Sequence, residues 1–121
     1  MKIEQLDAEY TYDMDLDIVN IKVKKDYVYR ESVDLDGGVF LDFDVNDFPV
    51  NLEILSASKR LNIDKNLLLN PNGEVIIIVD SDLIKLEVNF VIDNKTHVLQ
   101  YFDKHNENLK ISDIGACFAL V

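Results

Sequence analysis

Apolar residues fall at every second position along most of this chain, the period of an extended backbone that buries one face, and helical spacing is seldom sustained. Val19, Ile21 and Val23 alternate with Asn20, Lys22 and Lys24; Val39, Leu41 and Phe43 with Phe40, Asp42 and Asp44; Val50, Leu52 and Ile54 with Asn51 and Glu53. Each triplet is expected to face a core. Between the first two lies an aromatic and β-branched stretch, Tyr27 to Val33, and Asp34 to Gly38 supplies the glycines of a tight reversal. Residues 1–63 therefore read as an antiparallel meander.

Ser56 to Leu61 switches to helix-tolerant residues, with Ser56 or Ser58 placed to cap a first turn and Lys59 and Arg60 near its end. Asp64 to Asn70 adds a second helical turn before Pro71-Asn72-Gly73, a turn signal that divides the chain. Beyond it, Glu74 to Asp80 reads as a buried strand. Ile84, Leu86, Val88, Phe90 and Ile92 make the longest strict alternation, and Asn94-Lys95 forms a hairpin tip leading into Thr96 to Phe102. Ala116 to Val121 suits a strand or a helix equally. The expected fold is mostly β, on the border of α+β: an antiparallel β-sheet meander with one or two short helices near residues 56–69. A second antiparallel hairpin region over 72–121 packs on the first, in a single compact domain of residues 1–121 with no linker or internal repeat.

With 48% apolar residues the chain can bury a core without metal or disulfides. Its 12 basic against 23 acidic residues give a formal charge of -11, which repels phosphate backbones and anionic lipid, so neither nucleic acid nor a membrane is an expected partner. Cys117 is the single cysteine, which gives no intrachain disulfide and points to the cytoplasm by default. The first ten residues lack the apolar core of a signal peptide, and the longest aliphatic run, Val75 to Val79, is too short to cross a bilayer.

Several constellations carry potential chemistry. Asp42, Asp44, Asn46 and Glu53 fall at the first, third, fifth and twelfth positions of a calcium-loop spacing, which makes calcium the one candidate cofactor. Against it, the sixth position is Asp47 where the sharp turn wants glycine, and the flanks alternate as strands where that loop needs helices. Asp13, Asp15 and Asp17 would line one face if extended, opposite Lys22 and Lys24, or form a charged edge that resists aggregation. Asp103, His105 and Glu107 could present carboxylate, imidazole and carboxylate together, suitable for zinc or for the acid-base work of a hydrolase, or form a solvated turn. His97 reads as a half-buried filler or a surface residue, and Cys117 as a small core residue. No serine sits in a glycine-framed elbow, and no glycine-rich loop leads from strand to helix to hold phosphates. Ala57 to Arg60 offers a helix start with basic residues for an anion, or an Arg60 salt bridge to nearby carboxylates.

Val39 to Leu61, VFLDFDVNDFPVNLEILSASKRL, with its Leu-Glu-Ile-Leu-x-Ala-Ser core, resembles the family called domain of unknown function 2283, small prokaryotic β-rich proteins. Tyr12-Asp13, Asp17 at the opening of DIVNIKV, and Glu31 before Val33 extend the resemblance over roughly residues 12–61. This chain has Asp47 and Asn51 where the family usually has glycine, which implies a different turn geometry. The resemblance implies a compact antiparallel sheet with a short helix and no established chemistry. Some relatives look like partners of small toxin-like proteins, so it also implies, by analogy, an antitoxin-type role. The expected function is a non-enzymatic cytoplasmic protein-interaction module whose acidic sheet face or free strand edge meets a basic protein or a second copy. A calcium-binding protein built on Asp42, Asp44, Asn46 and Glu53 is the alternative, and a hydrolase the weaker third.

Overall fold

The two-residue period of the apolar side chains is realised, among the described residues, as nine strands. A computed structural model describes residues 2–80, 83–104 and 113–120. In chain order the strands are β1 (Ile3–Asp13), β2 (Ile18–Val23), β3 (Tyr29–Asp34), β4 (Val39–Asp44) and β5 (Pro49–Ile54), then β6 (Asn72–Val79), β7 (Leu83–Ile92), β8 (Lys95–Lys104) and β9 (Ile114–Leu120). Between β5 and β6 lie helix α1 (Ala57–Leu61) and a 3-10 turn at Lys65–Leu68. The protein is mostly β with a minor helical part, and the helical residues fall inside the expected 56–69 window.

All nine strands form one sheet in the order β3-β4-β5-β2-β1-β9-β6-β7-β8. The two halves of the chain meet edge to edge through β1 and β9, which run parallel from Ile3↔Gly115 to Ala8↔Leu120. Every other pair is antiparallel. The sequence reading anticipated antiparallel pairing throughout and did not foresee β1, so this parallel seam is a correction.

The sheet curls around its apolar face. Ile21, Leu41, Leu52, Ile54, Ile77, Leu86 and Phe90 are wholly buried in a core to which both halves contribute, each such side chain contributing about 1.5–3 kcal/mol by its burial. The curl is visible in Tyr10 of β1, whose ring meets Phe90 of β7 edge-on, centroids 5.7 Å apart, although β9 and β6 separate these strands in the sheet. The segment joining the halves closes the curl. Ala57, Leu61, Ile63 and Leu68 are buried, and the Tyr10 hydroxyl donates to the Leu68 carbonyl at 2.6 Å.

Local geometry departs from expectation in three places. The β7–β8 hairpin turns on Asp93 and Asn94, both at positive φ (50° and 64°), one residue earlier than Asn94-Lys95; paired left-handed residues are the turn that matches strand twist. Asn72 and Gly73 belong to β6 instead of forming a turn, Gly73 lying opposite Phe90. Asp47, where glycine was the family habit, takes φ 60°, so the chain keeps the left-handed turn with a residue whose short polar side chain tolerates it. Ala116 to Leu120 is strand, which settles the open alternative.

Candidate functional site

The carboxylates singled out at Asp13, Asp15 and Asp17 do not form a ladder. Asp13 ends β1, and the chain then turns, so Asp17 swings inward with φ 56° and is only 9% exposed. Its Oδ1 accepts the Tyr12 hydroxyl at 2.6 Å and the Ser58 amide at 3.0 Å, and its Oδ2 accepts the Ser58 hydroxyl at 2.7 Å. Its own carbonyl accepts the Ala57 amide at 2.9 Å. Asp17 therefore caps α1 from another part of the chain. Ser56, one of the two serines expected as the cap, sits in the left-handed region and makes no side-chain cap bond. Burial alone would raise the Asp17 pKa, but the hydrogen bonds from Tyr12 and Ser58 and the charge of Lys65 outweigh it and hold the carboxyl below the usual aspartate value. Burial and the bond to Asp17 push the Tyr12 phenol up.

Arg60, at the other end of α1, ties three elements together. Its Nη1 reaches Asp36 Oδ2 at 3.0 Å and the Tyr101 hydroxyl of β8 at 3.3 Å. Its Nη2 donates to the Asp36 and Gly37 carbonyls at 3.1 and 3.2 Å, and Nε to the Leu55 carbonyl at 3.0 Å. Of the two readings of Arg60, the salt bridge is the one present. The bond with Tyr101 leads the causes that raise its pKa, so it stays charged. A Cβ at Gly38 (φ 149°) would lie 2.7 Å from Arg60 Nη2, so the absence of a side chain there lets the guanidinium in.

The calcium-spaced residues are brought into one hairpin, and their oxygens hold it together. Asp42 accepts the Ser32 hydroxyl at 2.5 Å and the Asn51 amide at 3.0 Å. Asp44, 6% exposed, accepts the amides of Asn46 and Phe48, both at 2.9 Å, and so builds the turn between β4 and β5. Asn46 is at the exposed tip, while Glu53 stands opposite Phe40 and Asn20 near the far end of the hairpin. Among the described residues no group of three or more His, Cys, Asp or Glu side chains is placed to hold a metal ion. Of the hydrolase residues, Asp103 lies on β8 opposite Ile84, and His105 and Glu107 lie outside the described residues. Cys117 is buried, 3.3 Å from Glu74 Oε2; burial first and that carboxylate second push its pKa up to about 11, the opposite of an activated thiol.

The sheet has two ends, and they differ. The β3 end is six residues long, is bulged between Tyr29 and Glu31, and carries Arg30 paired with Asp47 and Glu31. The β8 end is ten residues long and stays in register with β7 from Lys95 to Lys104 without a bulge. Its outward row, Val98, Gln100 and Phe102, leaves two apolar side chains 55% and 58% exposed. Its inner row, His97, Leu99, Tyr101 and Asp103, is only half-buried, although the β7 residues opposite, Phe90, Val88, Leu86 and Ile84, are wholly buried. Among the described residues β8 pairs with β7 alone. The exposed apolar pair was legible in the sequence as alternation, but nothing in the sequence marked β8 as the last strand.

Among the described residues no helix is long and apolar enough to cross a membrane. No solved structure matches the chain. It is 31% identical over 116 residues, 95% of this chain and 90% of the relative, to a Methanosarcina mazei protein named "Putative hypoxanthine phosphoribosyltransferase". It is 34% identical over 97 residues, 66% of this chain and 83% of the relative, to an uncharacterized protein of Methanocaldococcus jannaschii. Residues 9–58, from the middle of β1 to the Ser58 that meets Asp17, match the model named Protein of unknown function (DUF2283), and this segment of the chain belongs to that family.

Proposed function

We propose that this protein is a non-catalytic cytoplasmic interaction module that receives a protein partner on the β8 edge of its sheet. The observation that carries the reading is the contrast between the two sheet ends. Natural sheets blunt their edges with short strands, bulges and charge, because an open edge is a template for another strand. The β3 end has all three devices, while β8 is long and regular and exposes Val98 and Phe102 on its outer row beside Thr96 and Gln100. A partner strand added there would gain main-chain hydrogen bonds from the backbone and specificity from Val98 and Phe102. A single buried cysteine with a raised pKa suits a reducing compartment. An antitoxin-type role is one biological setting for such an edge.

The activity in the name of the Methanosarcina mazei relative would need a cradle for the phosphates of its donor, commonly amides at a helix start. In this chain the Ser58 amide at the start of α1 is taken by the Asp17 carboxylate and the Ala57 amide by the Asp17 carbonyl, and Arg60 is committed to backbone carbonyls and Asp36. We do not extend that activity to this protein. A comparison of two edge variants tests the interaction reading. Proteins captured by the unaltered chain should be lost with Val98→Lys/Phe102→Lys and kept with Tyr29→Lys on β3. Capture that survives the β8 change and fails with the β3 change would overturn it.

A further inference from the structure

We infer that the occupant of the β8 edge is the β8 edge of a second copy, paired antiparallel about a two-fold axis through Gln100. The inference rests on the edge-binding reading above and adds the partner and the register. A two-fold axis perpendicular to a sheet keeps each face on its own side, so a residue of the outer row must meet the outer row of the other copy. Paired residue numbers must then sum to an even value, and the greatest overlap of a strand spanning Lys95–Lys104 leaves sums of 198 or 200.

The side chains choose between these. A sum of 198 sets Val98 against Gln100 and Phe102 against Thr96, which leaves each apolar side chain beside a polar one. A sum of 200 sets Val98 against Phe102 of the second copy on the outer face, twice by symmetry, and Leu99 against Tyr101 on the inner face. Both half-exposed apolar side chains of the edge, 55% and 58% accessible, are then covered by each other, and aromatic to β-branched pairs are favourable cross-strand neighbours. Gln100 lies on the axis opposite itself. Lys85, whose Nζ stands 5.8 Å over the Phe102 ring, stays behind the seam.

Charge also favours a second copy over a basic partner at this edge. The chain carries -11 overall, yet the described side chains of β8 include one carboxylate, Asp103, against one ammonium, Lys95. The strand carries no surplus of negative charge to recruit a basic segment. The repulsion between two acidic molecules is screened beyond about 8 Å at physiological ionic strength, so the local charge of the edge governs the contact. Added salt therefore strengthens this association, whereas it would weaken a basic partner's.

The test is site-directed cross-linking of the full chain in a Cys117→Ala background, read beside its mass by sedimentation from low micromolar to millimolar concentration. Facing Cα atoms of an antiparallel pair lie about 4.5–5.5 Å apart, inside the roughly 4.4–6.8 Å range of a disulfide. Gln100→Cys alone is expected to cross-link on mild oxidation, as is Val98→Cys combined with Phe102→Cys. Val98→Cys alone is not, because its two copies stand four residues apart, roughly 13 Å. The Val98→Lys/Phe102→Lys variant, which opposes like charges, should raise the dimer dissociation constant roughly tenfold or more, and Val98→Lys/Phe102→Glu should restore it. Dimer mass with that pattern supports the proposal. A monomer at every concentration overturns the second copy as occupant; if the β8 variants still lose another captured protein, the edge reading itself stands. A dimer unaffected by the β8 variants, or one cross-linked equally through Val98→Cys alone, overturns both partner and register.

Discussion

Asp17 and Ser58, 41 residues apart, are joined by two hydrogen bonds, from the Ser58 amide to Oδ1 at 3.0 Å and from the Ser58 hydroxyl to Oδ2 at 2.7 Å. The contact fastens the β1–β2 turn to the first turn of α1, and both of its residues fall within the family segment of 9–58. It explains why the helix starts at Ala57 without a cap of its own: the four orphan amides of a helix start need acceptors, and a carboxylate from elsewhere in the fold supplies one.

Replacing Asp17 by Ala is expected to destabilise the protein by about 2–4 kcal/mol in chemical denaturation, since it removes a charged acceptor from partly buried donors. Asn, which tolerates the left-handed backbone and keeps one acceptor oxygen, should cost about half as much. Tyr12→Phe should be the mildest of the three, because it removes one donor and leaves the cap intact.

The same residue sets an acid limb. Its folded pKa lies below that of an unfolded aspartate, about 3.9, so its contribution is complete above that value and is lost as pH falls through the lower folded pKa. Melting temperature followed from pH 7 to pH 2 should fall less steeply below about pH 4 in Asp17→Asn than in the unaltered chain. Parallel curves would show that the Asp17 carboxyl titrates alike in the folded and unfolded chain.

Two glycines predict a graded pair. At Gly73 (φ 150°) a Cβ would run into the backbone oxygen of Asn89, which cannot move without breaking the β6–β7 ladder. At Gly38 it would meet the guanidinium of Arg60, the end of a flexible side chain. Gly73→Ala should cost roughly 3 kcal/mol or more and Gly38→Ala about 1–2 kcal/mol, measured by denaturant midpoint at constant m-value. Combining Gly38→Ala with Arg60→Ala should cost less than the sum of the two single changes, because they share one contact.

The acidic hairpin makes a prediction about calcium. Asp42 and Asp44 already accept hydrogen bonds from Ser32, Asn51 and the turn amides. Calcium added to millimolar levels should leave the melting temperature unchanged, whereas a specific site would raise it with ligand concentration. Asp44→Ala should destabilise the chain by about 1–3 kcal/mol with or without the ion. A calcium-dependent rise that vanishes in Asp44→Asn would restore the cation reading of Asp42, Asp44, Asn46 and Glu53.

Much of the fold was legible because strand periodicity is a local signal. The triplets of β2, β4 and β5 and the run through β7 face the core as their alternation required. β1 escaped notice although Leu6, Ala8, Tyr10 and Tyr12 alternate with Asp7, Glu9 and Thr11, since alanine and tyrosine are weak markers of a buried face. The parallel seam between β1 and β9 could not be read at all, because pairing across the whole chain leaves no local trace. For the same reason Asp17 looked like one more surface carboxylate: its partners lie at Ser58 and Tyr12, and only the curl of the sheet reveals that it is buried. The candidate edge sits between these cases. Val98 and Phe102 were visible as outward positions of a strand, but their exposure follows from strand order.

Amide hydrogen exchange separates the two ends of the sheet. In dilute protein the β8 amides that point away from β7 should exchange as open amides, and in the assembled state, whether with a second copy or with a captured protein, those alternate positions between Lys95 and Lys104 should become protected while β3 is unchanged. Protection that appears on β3, or nowhere on β8, would contradict the assignment of β8 as the interaction edge.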